Sequence, residues 1–182
     1  PTRQRWLEAI VKADAGMAAE RSDRSRFLAA SSAIELARPL RDAFNAVALT
    51  APLDRSLKLK KKHMEQALQA YGRAADYGVA QVTTAATFET ADLYYQLSRD
   101  LLASERPQDL AADESEQYDV LLEEQAFPFE EKAIDLYRVN AERVADGVYD
   151  EWVRASYARL AVMVPARWSR TERSEDVITT ID

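Results

Sequence analysis

The residue composition restricts this chain to a helical fold more strongly than any single motif does. Alanine supplies 32 of the 182 residues, whereas there are only 4 glycines and 6 prolines. Alanine loses the least conformational entropy in a helix, and glycine and proline are the residues that interrupt one. Valine, isoleucine and threonine form no alternating runs, so the sequence predicts no strand. We therefore expect an all-α protein.

Turn and capping signals divide the chain into about seven antiparallel helices, in which apolar residues recur at helical spacing. Ser22 or Asp23 is expected to cap the second helix. Pro39 should kink or split that helix, because proline lacks an amide donor. The segment 104–116 is predicted as a loop, and Pro128 suits the first turn of a helix. The expected helices cover about 2–20, 23–51, 54–76, 79–103, 115–125, 128–147 and 150–165.

The apolar stripes of these helices predict the core. The first stripe holds Trp6, Leu7, Ile10 and Val11, and the second begins at Phe27. Gly78 and Gly147 follow predicted helix ends, where a left-handed cap favours glycine. The aromatic residues of the later helices are most simply core residues. They are Phe88, Tyr94, Tyr95, Tyr137 and Tyr157.

Charge is distributed unevenly along the chain. Residues 1–62 carry 13 Lys and Arg against 7 Asp and Glu, whereas residues 63–146 carry 6 against 18. Such a polarity allows two regions to meet oppositely charged partners, although solvated helix faces of different composition would also produce it. Lys58, Lys60, Lys61 and Lys62 form the one dense basic cluster. A solvated face or a contact with an acidic neighbour is favoured over nucleic acid or anionic lipid, because no aromatic residues interleave the lysines.

The sequence predicts no catalytic centre, metal site or cofactor. His63 is the only histidine and there is no cysteine, so nucleophile–histidine sites have a single possible centre with no serine motif beside it. The acidic pairs Glu123–Glu124 and Glu130–Glu131 lack the Glu-x2-His motifs of a di-metal bundle. No apolar stretch approaches the length needed to span a bilayer. The chain begins with Pro1 and not methionine, so we expect a piece of a longer or processed protein.

Three segments place a small or aliphatic residue three positions after an aromatic one. The best of them, Phe88 with Ala91, follows Tyr71 and Gly72 on the preceding predicted helix, and Tyr157 lies 69 residues after Phe88. Phe44 lies 44 residues before Phe88, which breaks that period. The segments are Phe44-x2-Val47-x4-Pro52, Phe88-x2-Ala91 and Tyr157-x2-Leu160-x4-Pro165.

This spacing resembles degenerate tetratricopeptide repeats (TPR), whose units of about 34 residues pair two helices. The resemblance implies a right-handed helical solenoid over 1–168, with divergent helices over 1–53, repeat-like pairs over 54–165 and a polar tail over 169–182. An irregular helical bundle without repeat ancestry is the alternative. The run 121–134, together with 149–153, is similar to the C-terminal region of large bacterial TPR proteins of the cell envelope. That similarity implies a periplasmic or envelope-associated location and a role in an assembly or transport complex.

The resemblance implies a non-catalytic scaffold that binds a protein, or a peptide in a concave groove, and no nucleic acid. In TPR proteins the first helix of each pair lines this groove. A self-associating bundle that forms a homo-oligomer is the alternative function. The implied groove residues are Gln69, Arg73, Asp76 and Tyr77 in the earlier pair, and Asp135, Arg138 and Glu142 in the later one.

Overall fold

The structure, a computed structural model, describes residues 2–17, 20–108 and 110–169 and consists of helices joined by short loops. A short 3-10 turn, Arg143–Asp146, follows the fifth helix. No strand occurs in the described ranges, so the all-α prediction is confirmed. The helices are α1 (Thr2–Gly16), α2 (Asp23–Asn45), α3 (Leu53–Ala75), α4 (Ala80–Leu102), α5 (Ala112–Glu142), α6 (Glu151–Met163) and α7 (Pro165–Trp168).

Each helix packs against the next one along the chain, and α4 lies at the centre. It contacts α3 and α5, and it also contacts α2 and α6. The even-numbered helices α2, α4 and α6 therefore form a continuous layer. Helix α3 packs against both α2 and α4, and α5 packs against both α4 and α6. Within the described part of the chain, α3 and α5 contact each other far less extensively than either helix contacts α4.

Alanine and aromatic side chains build the core together. Ala91, Ala133 and Ala141 are fully or almost fully buried around Tyr137 and Leu160. Small side chains let the helices approach closely, and the aromatic rings fill the remaining space. All five aromatic residues of the predicted core pack into this cluster, either within it or against its edge.

The predicted division at Pro128 is wrong, because α5 continues from Ala112 to Glu142 with this proline inside it. Helix α5 makes its most extensive contact with α4. Pro128 is exposed, as is Glu124 four residues earlier. Proline has no amide hydrogen, so the Glu124 carbonyl lacks its usual hydrogen-bond donor within the helix. Because Glu124 is exposed, water can donate to that carbonyl instead. Pro39 is also exposed and leaves α2 unbroken.

The capping signals are mostly confirmed. The Ser22 hydroxyl accepts a hydrogen bond from the Ser25 amide, and Asp150 caps α6 through the amides of Trp152 and Val153. Gly78 and Gly147 adopt the positive φ values expected after helix ends. Helix α2 ends at Asn45, earlier than predicted, so Val47 lies in the loop that leads to α3.

Two aromatic residues assigned to buried stripes lie largely in solvent. Trp6 is 68% exposed and Phe27 is 46% exposed. The other members of the first stripe, Leu7, Ile10 and Val11, are half-buried. The expectation that the polar tail after Trp168 frays, with docking of Val177, Ile178 and Ile181 as the alternative, concerns residues outside the described ranges.

Buried polar contacts connect the last three long helices. The Asn140 amide group donates to the Thr84 carbonyl at 3.0 Å and to the Ser156 hydroxyl at 3.1 Å. The Thr84 hydroxyl in turn donates to Asp150, the residue that caps α6. Asn140, Thr84 and Ser156 are fully buried, so these bonds fix α4, α5 and α6 in one register.

Candidate binding groove between α2, α4 and α6

An open groove of about 290 Å³ lies where α2, α4 and α6 meet. Its walls combine three aromatic side chains with charged groups from α2 and α4. Tyr71 reaches it from α3, which packs across α2 and α4. The lining residues that define its chemistry are Phe27, Glu35, Arg38, Tyr71, Glu89 and Trp152.

The Glu89 carboxylate, which lines the groove, forms a charge pair with Arg41. Arg41 Nη1 donates to both carboxylate oxygens of Glu89 at 2.9 Å, and Glu89 is almost fully buried. Partial burial acts to lower the pKa of Arg41, but the hydrogen bond and charge of Glu89 outweigh it and hold this pKa above its ordinary value. The guanidinium is therefore permanently charged. Its buried Nε–H has no hydrogen-bond partner among the described residues.

Tyr71 adds a second unused polar group beside this pair. The side chain is 1% exposed, and its hydroxyl makes no hydrogen bond within the described structure. Burial, with a further contribution from the Glu89 charge, raises the pKa of Tyr71 above its ordinary value. The hydroxyl therefore stays protonated and lies near Glu89 without the geometry of a hydrogen bond. A buried donor left unpaired costs free energy, which a ligand that accepts from it can recover.

The rim of the groove is aromatic and charged. Phe27 projects from α2 into solvent, and the Trp152 ring packs against Phe88 with 5.4 Å between ring centroids. Glu35 pairs with Arg38 at 3.0 Å and also with Arg3 from α1. Aromatic and arginine side chains of this kind supply much of the binding energy at protein interfaces.

The residues implied by the TPR resemblance lie elsewhere, and they form two separate sets. Arg73, Asp76 and Tyr77 line a second cavity of about 320 Å³ between α1, α2 and α3. Gln69 is exposed on α3 but does not line that cavity. In the first set, the structure thus brings together three of the four predicted residues.

The second set lies on the surface of α5. Arg138 Nη2 is 2.9 Å from Asp135 Oδ1, and Arg138 Nε is 3.8 Å from Glu142 Oε1. These three residues therefore pair with one another. None of them lines either the groove between α2, α4 and α6 or the cavity beside Arg73.

The sequence contained one usable signal for the groove. Glu89 lies four residues after Ala85 and four before Leu93, both buried, so its carboxylate had to fall on the buried face of α4. A buried carboxylate needs a charged or hydrogen-bonding partner. Nothing in the sequence named Arg41, which is 48 residues away, as that partner.

Comparison with known proteins does not assign this chain to a family. No protein-family model matches the sequence, and no curated protein and no solved structure shows a significant match. In the described ranges, no helix is both long and apolar enough to cross a membrane. The same residues contain no group of three or more His, Cys, Asp or Glu side chains suited to hold a metal ion.

Proposed function

We propose that this chain is a non-catalytic scaffold that binds a segment of a partner protein in the groove between α2, α4 and α6. The Tyr71 side chain in the groove wall carries this proposal. Its hydroxyl lies near Glu89 but forms no hydrogen bond within the described structure, so an oxygen atom of a bound segment would give it an acceptor.

The groove chemistry defines the kind of segment that would bind. Tyr71 offers a hydroxyl donor and Arg38 a guanidinium, so carbonyl or carboxylate oxygens of the partner would face them. Phe27 and Trp152 offer flat apolar surfaces for an aliphatic or aromatic side chain. A short peptide segment with one apolar anchor and a neighbouring acidic or carbonyl group satisfies both requirements.

The resemblance to TPR proteins supports the same class of function. Residues of the two degenerate units, Ala91, Tyr137, Ala141 and Leu160, meet in one core cluster. We propose a TPR-like scaffold that belongs to a larger envelope-associated assembly or transport complex. In this account, the cavity beside Arg73, Asp76 and Tyr77 is a secondary contact surface.

Cross-linking in the source cell, with separate envelope and cytosolic fractions, tests this function. We expect the wild-type chain to capture a defined partner that Phe27→Ala and Arg38→Glu no longer capture. Leu28→Ala is the matched control, because Leu28 is equally exposed on α2 but does not line the groove. Circular dichroism verifies that all variants are folded. Capture of the same proteins by wild type and both groove variants would contradict the proposal.

A further inference from the structure

A third concave surface is lined by cationic side chains, in contrast to the acidic first half of α5. It has a volume of about 820 Å³ and lies between the α2–α3 loop and the first turns of α3. We call this surface the basic groove. Its α3 side is formed by Arg55, Lys58, Leu59 and Lys62.

The structure separates the lysine cluster into side chains with different roles. Lys60 points inward and is fully buried, and Lys61 lies over the Phe129 ring at 5.5 Å. Lys58 and Lys62 are left on the groove side, one helical turn apart, with Arg55 a further turn away. In the described structure, none of the three cations on this side forms an ion pair within 4.0 Å.

The N-terminal half of α5 presents the complementary surface. Val120 and Leu121 are 50% and 56% exposed, and Asp113, Glu116 and Glu124 surround them in a shallow concavity. We call this surface the acidic face. No ion pair involving these three carboxylates occurs in the ranges that the structure describes.

We propose that the acidic face of one copy of this chain docks in the basic groove of a second copy. The two surfaces match in charge, with three unpaired cations facing three unpaired carboxylates. Two charges on each surface also match in spacing, since Arg55 precedes Lys58 by three residues as Asp113 precedes Glu116, about 4.5 Å along each helix axis. Exposed leucines lie among the charges on both surfaces, Leu59 in the groove and Leu121 on the helix. Apolar contact between them strengthens an interaction that the charges orient.

Sedimentation velocity on the whole chain tests this pairing. We expect wild-type protein to associate reversibly with increasing concentration, and salt to weaken the association by screening the exposed charges. Lys58→Glu with Lys62→Glu, or Glu116→Lys with Glu124→Lys, should raise the dissociation constant by about tenfold or more, because like charges then face each other. Arg24→Glu with Arg154→Glu is the matched control, since both arginines are exposed outside the two surfaces.

An equimolar mixture of the two double variants gives the decisive result. In each double variant, the groove and the α5 surface carry charge of the same sign. In the mixture, the acidic groove of the lysine-reversal variant can meet the basic α5 surface of the glutamate-reversal variant. We expect association to return in the mixture. The pairing is overturned if wild type stays monomeric at every concentration, if the reversals leave association unchanged, or if mixing fails to restore it. Binding of monomeric wild type to phosphatidylglycerol vesicles, lost with the lysine reversals, would assign the basic groove to anionic lipid and also overturn the proposal.

Discussion

Lys60 connects three parts of the chain from a fully buried position. Its Nζ donates to the carbonyls of Phe44 at 3.0 Å and Val47 at 2.8 Å, at the end of α2. The same atom lies 2.7 Å from Asp100 Oδ2 on α4. A cation at a helix C-terminus satisfies carbonyls that have no partner within the helix. Lys60 is therefore a structural residue, unlike the exposed Lys58 and Lys62 of the same cluster, which line the basic groove.

Replacement of Lys60 should measure this role. We expect Lys60→Met to lower the free energy of unfolding by about 3 kcal/mol, because it leaves buried carbonyls and the Asp100 carboxylate without their partner. Lys62→Met, at an exposed lysine two residues further along α3, should change it by less than about 0.5 kcal/mol. Urea unfolding of both variants checks the difference. Equal effects at the two positions would contradict the assigned role of Lys60.

Two buried tyrosines make the stability sensitive to alkali. Burial raises the pKa of Tyr71 and of Tyr137, and the charges of Glu89 and Asp92 respectively add to it. Above about pH 10 an unfolded tyrosine loses its proton while these folded ones keep it. The folded state then binds more protons, so the free energy of unfolding should fall by about 1.4 kcal/mol per pH unit for each tyrosine. Below about pH 10, the contribution of these two tyrosines to the free energy of unfolding does not change with pH.

Urea unfolding between pH 9 and pH 11 measures this slope. Tyr137→Phe should reduce the slope of the free energy of unfolding against pH by the contribution of one tyrosine. This expectation holds independently of the effect of the substitution on stability at neutral pH. Tyr149→Phe, at a side chain that is 65% exposed, is the control and should leave the slope unchanged. A wild-type stability that does not fall above pH 10 would contradict the assignment.

At the scale of helices, two glycines have opposite roles. Gly147 has a φ of 78° after the 3-10 turn that ends α5, a conformation that side chains with a Cβ disfavour. Gly72 lies inside α3, and a Cβ added there would meet no atom within 4 Å. Gly72, which belongs to the segment that resembles a TPR unit, is thus not required by close packing.

Alanine substitution should separate these roles. Gly147→Ala is expected to lower the melting temperature, at a cost of about 1 kcal/mol. Gly72→Ala should raise it, by about 0.5–1 kcal/mol, since alanine is the better helix former. Thermal unfolding followed by circular dichroism measures both changes. A destabilising Gly72→Ala would show that α3 needs glycine for a contact that the structure does not contain.

Local signals predicted the helix ends better than the helix faces. Ser22, Gly147 and Asp150 were predictable because a cap depends on residues within one turn. Pro128 misled the prediction, because the packing of α5 on α4 overrides the preference of one residue. Phe27 was assigned to the core from its spacing alone, although burial depends on which helix lies opposite. The Arg41–Glu89 pair joins positions 48 residues apart, so only the tertiary structure reveals it.

At the scale of the whole molecule, the charge polarity of the sequence corresponds to two distinct surfaces. The basic groove belongs to residues 1–62, which carry an excess of cations, and the acidic face belongs to the strongly acidic region 63–146. The partner groove between α2, α4 and α6 is separate from both of these surfaces. The proposed self-association and the proposed partner binding should therefore be open to independent disruption by substitution.

Hydrogen–deuterium exchange of the chain, alone and bound to its captured partner, locates the surface that the partner covers. We expect binding to slow exchange in residues 27–41 of α2, in 81–89 of α4 and in the first turn of α6, which surround Tyr71 and Trp152. Slower exchange confined to residues 73–77, at and just after the end of α3, and to 135–142 of α5, with no change around the groove, would contradict this expectation.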